Sequence, residues 1–378
     1  MTMPSQIDTP AAIVDRARMQ ANIERMQQRM DTLGVRFRPH VKTTKCVPVV
    51  RAQLEAGAQG ITVSTLKEAE QFFAEGIADI LYAVGIVPGK LGKVMALRRQ
   101  GCSLKIITDN ATSAAAIVAF GREHGEIFEV WIEIDCDGHR SGIQPDDTAQ
   151  LLEVAHVLTA GGMQLGGVMT HAGSSYDLDT PETLGLMAER ERSACVRAAE
   201  HIRRAGMACP GVSVGSTPTA LSAKELSGVT EVRAGVYVFF DLVMYNVGVC
   251  GMDEIALSVL TTVIGHQVEK GWAIVDAGWM AMSRDRGTSK QKRDFGFGQV
   301  CTADGIILPG YVMSGANQEH GIVSCENAVD KDIAARFPVG TQLRIIPNHA
   351  CATGAQFPEY CALSDNNQLE VWTRFYGW

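Results

Sequence analysis

Residues 60–84 read GITVSTLKEAEQFFAEGIADILYAV, and the order of patterns in this stretch decides the fold. Gly60 to Ser64 is a short apolar, β-branched run of strand type. Thr65-Leu66-Lys67-Glu68 has the spacing of a capping box, in which the threonine hydroxyl and the glutamate each accept a backbone N–H. A helix therefore opens here and ends near Gly76. Ile80 to Val84 is again a strand. Strand, helix and strand in succession form a βαβ unit, whose two strands run parallel with a right-handed crossover.

The alternation continues in both directions. Upstream, Met19, Ile23, Met26, Met30 and Leu33 recur at helical spacing after Asp15, Gly34 stops the helix, and Val35 to Arg38 follows as a strand. Downstream, Leu104 to Thr108, Ile127 to Asp135, Leu165 to Thr170, Val212 to Val214 and Glu231 to Val238 read as strands. Helices fall between them, among them Asp146 to Leu158 and the long Pro181 to Ala205. Eight steps without an internal repeat predict an α/β chain with an N-terminal (β/α)8 barrel over residues 15–248. Beyond it, Ser258 to Gln267, Trp272 to Asp276, Tyr311 to Gly315, Thr341 to Ile346 and Leu369 to Phe375 are strand-like with few helical stretches between. They predict a β-rich C-terminal domain over 249–378, with residues 1–14 packing against it.

Composition narrows the function. With 378 residues, 46% hydrophobic and 20% charged, the chain is of ordinary globular type. A formal charge of −8 supplies no basic footprint for nucleic acid and no polybasic stretch for an anionic membrane, so a small-molecule partner is expected. The start, Met1 to Pro10, lacks the pattern of a signal peptide, and no run is apolar enough to span a bilayer. A cytoplasmic location is the expectation. Ten cysteines without CxxC pairs read as reduced thiols.

Chemistry on such a barrel is carried by the loops after the strands. Lys42, in Pro39-His40-Val41-Lys42-Thr43-Thr44-Lys45, is a candidate Schiff-base former, with Lys45 as the competing amine, expected on the first turn of the next helix. In Gly215-Ser216-Thr217-Pro218, Thr217 reads as an N-cap and Pro218 as the first helical residue, a terminus suited to a phosphate; Gly235-Val236-Tyr237 could add N–H donors. Arg140 in the loop 137–142 could bond a ring oxygen, and His171 and Tyr176 could flank a planar cofactor. Far downstream, His349 and Cys351 in Pro347-Asn348-His349-Ala350-Cys351 offer two metal ligands on an extended segment, a site left open to water or substrate. Each feature also has a plainer account: a solvated lysine, an ordinary capped helix, a surface arginine, a buried histidine, and a chance His near a free Cys.

Five ordered motifs are resolved together by a resemblance: Arg38 to Thr43, Gly215 to Thr219, Arg233 to Asp241, Glu319-His320-Gly321 and Pro347 to Cys351. Over nearly its whole length the chain resembles the metal-activated pyridoxal 5'-phosphate (PLP) enzymes of the alanine racemase fold. That group includes D-threonine aldolases, D-serine dehydratases and D-threo-3-hydroxyaspartate dehydratases. The last branch matches best, in the context of Lys42, the run Thr170 to Tyr176 and the stretch Asn348 to Phe357. D-threonine aldolases carry His-x-Asp where this chain has His349-Ala350-Cys351, whereas D-serine dehydratases share the His-x-Cys pair.

The resemblance implies a lyase, a dehydratase that converts a β-hydroxy D-amino acid to a keto acid and ammonia. Lys42 would carry PLP and act as the base at Cα. Arg140 would bond the phenolic oxygen, His171 and Tyr176 would lie at the ring, and Ser216, Thr217, Gly235 and Tyr237 would surround the phosphate. His349 and Cys351 would hold a divalent cation (Zn, Mn, Co or Mg), and a homodimer is implied. Aldol cleavage, D-serine as substrate, a racemase and a non-catalytic PLP-binding barrel are the alternatives.

Overall fold

The structure, a computed structural model, describes residues 7–364 and 368–378. Residues 1–6, part of the segment expected to pack with the C-terminal domain, lie outside the described residues. The chain divides into a barrel unit, Glu24–Gly235 with Phe375–Trp378, and a sheet unit, Met1–Ile23 with Val236–Arg374.

The chain enters through strand β1 (Ala11–Asp15) and helix α1 (Arg16–Thr32). Eight parallel strands follow: β2 (Arg36–Phe37), β3 (Ile61–Val63), β4 (Asp79–Gly85), β5 (Ser103–Thr108), β6 (Glu129–Ile134), β7 (Gln164–Thr170), β8 (Gly211–Val214) and β9 (Glu231–Val232). Each pairs with the next from β3 to β9, and β9 pairs with β2. A parallel bridge between His40 and Thr62, with the Thr62 N–H donating to the Pro39 carbonyl at 2.8 Å, closes the barrel. Helices α2 (Val47–Glu55), α3 (Leu66–Ala74), α4 (Leu91–Arg99), α5 (Ala111–His124), α6 (Thr148–Ala160), α7 (Pro181–Arg204) and α8 (Thr217–Ser222) connect the strands. At the start of α3 the Glu68 N–H donates to Thr65 Oγ1 at 3.0 Å, while the Glu68 carboxylate reaches back to the Ser64 N–H.

A buried hydrogen-bonded network joins the barrel strands around β9, while Leu81, Ile107, Trp131 and Met169 of β4 to β7 form a buried apolar cluster. Buried Arg38 pairs with buried Glu231 (2.7 Å), Ser213 Oγ donates to Glu231, and Arg233 donates to Ser213 Oγ and to the Thr170 carbonyl (2.6 Å). β9 is two residues long rather than the eight from Glu231 to Val238: the chain bends at Gly235 and resumes as a 3-10 turn at Val236–Val238.

The sheet unit holds β10 (Leu257–Gln267), β11 (Trp272–Val275), β12 (Gly298–Thr302), β13 (Ile307–Ala316), β14 (Gly321–Cys325), β15 (Gln342–Pro347), β16 (Glu359–Leu363) and β17 (Leu369–Thr373). With β1 they form one sheet in the order β11-β14-β13-β12-β15-β10-β1-β16-β17, and β10 also pairs with β11. Neighbours are antiparallel except β1 and β16. Among the described residues no helix is long and apolar enough to cross a membrane.

Candidate active site

Because the barrel strands are parallel, the residues that follow them gather at one end. Lys42 lies after β2 on the 3-10 turn Val41–Thr43, whose N-cap His40 accepts the Lys42 N–H through Nδ1 at 3.5 Å. The His40 N–H in turn donates to the Ala234 carbonyl at 2.8 Å, which fixes the turn to the loop after β9. Gly235 in that loop has no room for a side chain: a Cβ would stand 2.9 Å from the His40 carbonyl. The Lys42 side chain is exposed, and its ammonium has no carboxylate partner among the described residues. Lys45 is different. It is not on the helix, since α2 begins at Val47 with Cys46 as N-cap, and its φ of +46° places it in the left-handed region. Its Nζ lies 3.0 Å from Oε1 of buried Glu68 and faces the Trp378 ring.

Around Lys42 the field is cationic. His40 is held well below its ordinary value by burial and by Lys42, Arg233, His171 and Arg140. His171 is pushed down to about 3, again by burial and by Arg140, Lys42 and Arg233, against the pull of its bond to Gly215. Its Nδ1 lies 2.9 Å from the Gly215 carbonyl, which can only accept, so Nδ1 carries the proton and Nε2 is bare. The rings of His171 and Tyr176 are 6.1 Å apart, tilted at 45°. Arg140, exposed after β6, carries no hydrogen-bond partner among the described residues. Its loop is wound on Asp135, whose Oδ1 accepts from the backbone of Gly138 (2.8 Å) and His139 (3.2 Å).

The loop after β8 departs from expectation. Ser216, not Thr217, is the N-cap of α8; its Oγ accepts the Thr219 N–H, while the Ser216 N–H donates to Thr219 Oγ1. Two donors expected for a phosphate are therefore used by the capping box. Ser216 Oγ also meets Ser175 Oγ at 2.8 Å, tying the β7 and β8 loops together. Buried Glu191 of α7, which sequence reasoning passed over, ties them again: its Oε1 accepts from Ala172 N–H (2.9 Å) and Gly215 N–H (3.0 Å). Tyr237 belongs to the sheet unit, where it is buried.

In the sheet unit, β15 ends at Pro347 and, after Asn348 and His349, a short helix, Ala350–Gly354, begins. His349, with φ −139°, is the N-cap and Cys351 sits in the first turn. The pair is thus brought together by a strand-to-helix turn and not by an extended run. Asn348 anchors the turn by donating to the carbonyls of Asp285 (3.1 Å) and Gly296 (2.8 Å), and buried Asp241 accepts the Ala350 N–H at 2.9 Å. His349 Nδ1 lies 2.7 Å from Asp285 Oδ2, which leaves Nε2 as the nitrogen available to a cation. Burial lowers the affinity of this imidazole for a proton, but the negative charge of Cys351, the hydrogen bond to Asp285 and the charge of Asp241 raise its pKa to about 11. Asp241 and Asp285 were missed in the sequence because no local spacing links them to His349.

Both donor sets fit their groups. A ring of cations with two neutral imidazoles and no facing carboxylate on Lys42 suits a phosphorylated, phenolic cofactor. An imidazole held protonated by a thiolate and a carboxylate marks a locus where a divalent cation would replace the proton. No third His, Cys, Asp or Glu completes a ligand set there among the described residues, so two protein ligands leave the cation's remaining positions open.

Comparison with known proteins places the chain in a family. Residues 14–243 match the model for the alanine racemase N-terminal domain, and residues 256–363 match a putative serine dehydratase domain. The D-threo-3-hydroxyaspartate dehydratase of Delftia sp. (strain HT23) is 67% identical over 373 residues, 98% of each chain. The D-serine dehydratase of Dictyostelium discoideum is 31% identical, covering 97% of this chain and 95% of its own. A solved structure of a cysteine-to-alanine mutant of D-threo-3-hydroxyaspartate dehydratase, described as the metal-free form, superposes with a TM-score of 0.98 at 66% identity, covering 99% of each chain. The chain belongs, through its barrel, to the alanine racemase N-terminal domain family, on the branch whose second domain is of the serine dehydratase type.

Proposed function

We propose that the protein is a PLP- and divalent-metal-dependent dehydratase that converts D-threo-3-hydroxyaspartate to oxaloacetate and ammonia. The observation that carries this reading is the His349–Cys351 pair ordered by Asp285, because two protein ligands leave coordination free for a substrate hydroxyl and carboxylate. The likeness to the Delftia enzyme, over 98% of both chains, supports the choice of substrate.

When bound, PLP supplies an electron sink for the bonds at Cα, and the cation supplies Lewis acidity toward a poor leaving group. The residues do the rest. Lys42 is the attachment point and the base, its Nζ taking the Cα proton. Lys45, paired with Glu68, does not compete. Arg140 would bond the phenolic oxygen, His171 and Tyr176 would hold the ring, and Thr217, Gly235 and Tyr237 would receive the phosphate, with Ser216 shaping that terminus through its capping box. His349 and Cys351 would hold the cation; two open-site ligands admit zinc, manganese, cobalt or magnesium, and the thiolate favours zinc. Removal of the Cα proton and the β-hydroxyl leaves an enamine, which takes up water to give oxaloacetate and ammonia. Carbon, nitrogen and water balance without a further reactant.

The test is product analysis of the holoenzyme with D-threo-3-hydroxyaspartate, D-serine and D-threonine, before and after chelation. Oxaloacetate and ammonia in equal amounts from the first substrate, abolished by chelator and restored by a divalent cation, are expected. Glycine with glyoxylate would replace the dehydratase with an aldolase.

A further inference from the structure

We propose that Arg284 receives the distal carboxylate of the substrate and so selects a dicarboxylic hydroxyamino acid over D-serine. The inference rests on the function proposed above and names its specificity residue. Three arginines lie close to Asp285 in the chain, and two are already paired: Arg286 with Asp294 and Arg293 with Glu326, each at 2.9 Å. Arg284 has no carboxylate partner among the described residues. Its guanidinium carbon instead lies 4.2 Å from the centroid of the Trp279 ring. Stacking on an aromatic face orients a guanidinium while leaving its N–H donors unspent, which suits a carboxylate arriving with a ligand.

Position supplies the second argument. Arg284 is bracketed by two residues clamped to the metal-ligand segment. On one side the Met282 carbonyl accepts from Thr353 Oγ1 at 2.8 Å, and on the other Asp285 Oδ2 meets His349 at 2.7 Å. Between them Ser283 has φ +69° and ψ 168°, a conformation almost reserved to glycine, and its Oγ accepts the Asp285 N–H at 3.1 Å. A strained serine persists only where its surroundings over-determine it, and here the determined object is the step from Trp279 to Asp285. The hairpin between β13 and β14 closes on the same place: the Asn317 and Gln318 carbonyls accept from the Trp279 and Met280 N–H groups at 2.8 and 3.1 Å. Their amide side chains are neutral, so the charge needed for a second carboxylate is that of Arg284. D-Serine lacks this carboxylate and gains nothing from the arginine.

The experiment compares wild-type holoenzyme with Arg284→Gln and Arg284→Lys. For Arg284→Gln, kcat/KM on D-threo-3-hydroxyaspartate is expected to fall by about tenfold to a hundredfold, with D-serine changed less than about twofold. Arg284→Lys, which keeps the charge and loses the fork, falls between and guards against a folding failure of the glutamine variant. Calorimetric binding of unreactive D-malate and D-lactate gives a second readout, in which only the malate preference is lost. Equal loss on both substrates, or no change on either, would overturn the assignment. If wild type releases no oxaloacetate, the function proposed above has failed; Arg284 then stands or falls on whether its removal abolishes a preference for D-malate over D-lactate.

Discussion

The ammonium of Lys45 lies 3.0 Å from a carboxylate that is 1% exposed, and removing either partner would leave the other charge poorly solvated. Lys42, three residues earlier, has no carboxylate partner among the described residues, and its charge bears on the neutral rings of His40 and His171. Lys42→Ala is therefore expected to abolish borohydride-trapped cofactor and its visible absorbance, whereas Lys45→Ala retains trapping but loses about 1–3 kcal/mol of stability in urea. An adduct that survives Lys42→Ala would move the attachment to Lys45. The metal pair yields a second expectation. Asp285 fixes which nitrogen of His349 faces the cation, so Asp285→Ala should weaken metal binding by about 10- to 100-fold, read by competition with a chelator. An affinity within twofold of wild type would remove Asp285 from that role. Lys42, His349 and Cys351 could be singled out in the sequence because each stands in a short motif. Asp285, Asp241 and Glu191 could not, because each acts on a residue far away in the chain and leaves no local spacing to read.

At the scale of elements, the sequence locates helices well where a cap announces them. Thr65 caps α3 as expected, although the Glu68 carboxylate reaches one residue further, to the Ser64 N–H, and the long α7 runs Pro181–Arg204 where Pro181 to Ala205 was expected. The α8 cap is shifted by one residue because two adjacent hydroxyls, Ser216 and Thr217, can each serve as N-cap, and only the contact between Ser216 and Ser175 decides. The loops after β7 and β8 are joined three ways, through Glu191, through the two serines and through His171 Nδ1 on the Gly215 carbonyl. The last link depends on pH. The folded value of His171 is depressed to about 3, so between there and the unfolded value of 6.5 the unfolded chain binds a proton that the folded one does not. Its contribution to stability is complete above about pH 6.5 and is lost as the pH falls toward 3. Between pH 7 and pH 5 the loss amounts to about 2 kcal/mol. His171→Gln should therefore show a flatter decline of unfolding free energy over that interval than wild type. Parallel declines in the two proteins would mean that His171 is not held neutral.

Across the whole molecule, the barrel was legible and the sheet was legible only in part, for one physical reason. Parallel barrel strands are separated by helices, and the change of period from two to 3.6 marks every boundary. The sheet strands follow one another through turns, and β12, β14 and β16 are five residues each without clean alternation. β1 was hidden for a different reason: it lies at the far end of the chain from its partners. It is a central strand, bonded to β10 on one edge and β16 on the other, with Ile13 and Val14 fully buried and Ala12 nearly so. Burying two such side chains contributes about 3–6 kcal/mol, and the ladder bonds on both edges add to it. That is a large part of the roughly 5–15 kcal/mol by which a domain is stable. A chain that begins at Arg16 should consequently lose the cooperative unfolding of the sheet unit, while β16 and β17 detach from β10. Differential scanning calorimetry and protease resistance of the segment 357–374 report this directly. A melt within a few degrees of the full chain, with β16 and β17 still protected, would show that β10 and β16 can close the gap without β1.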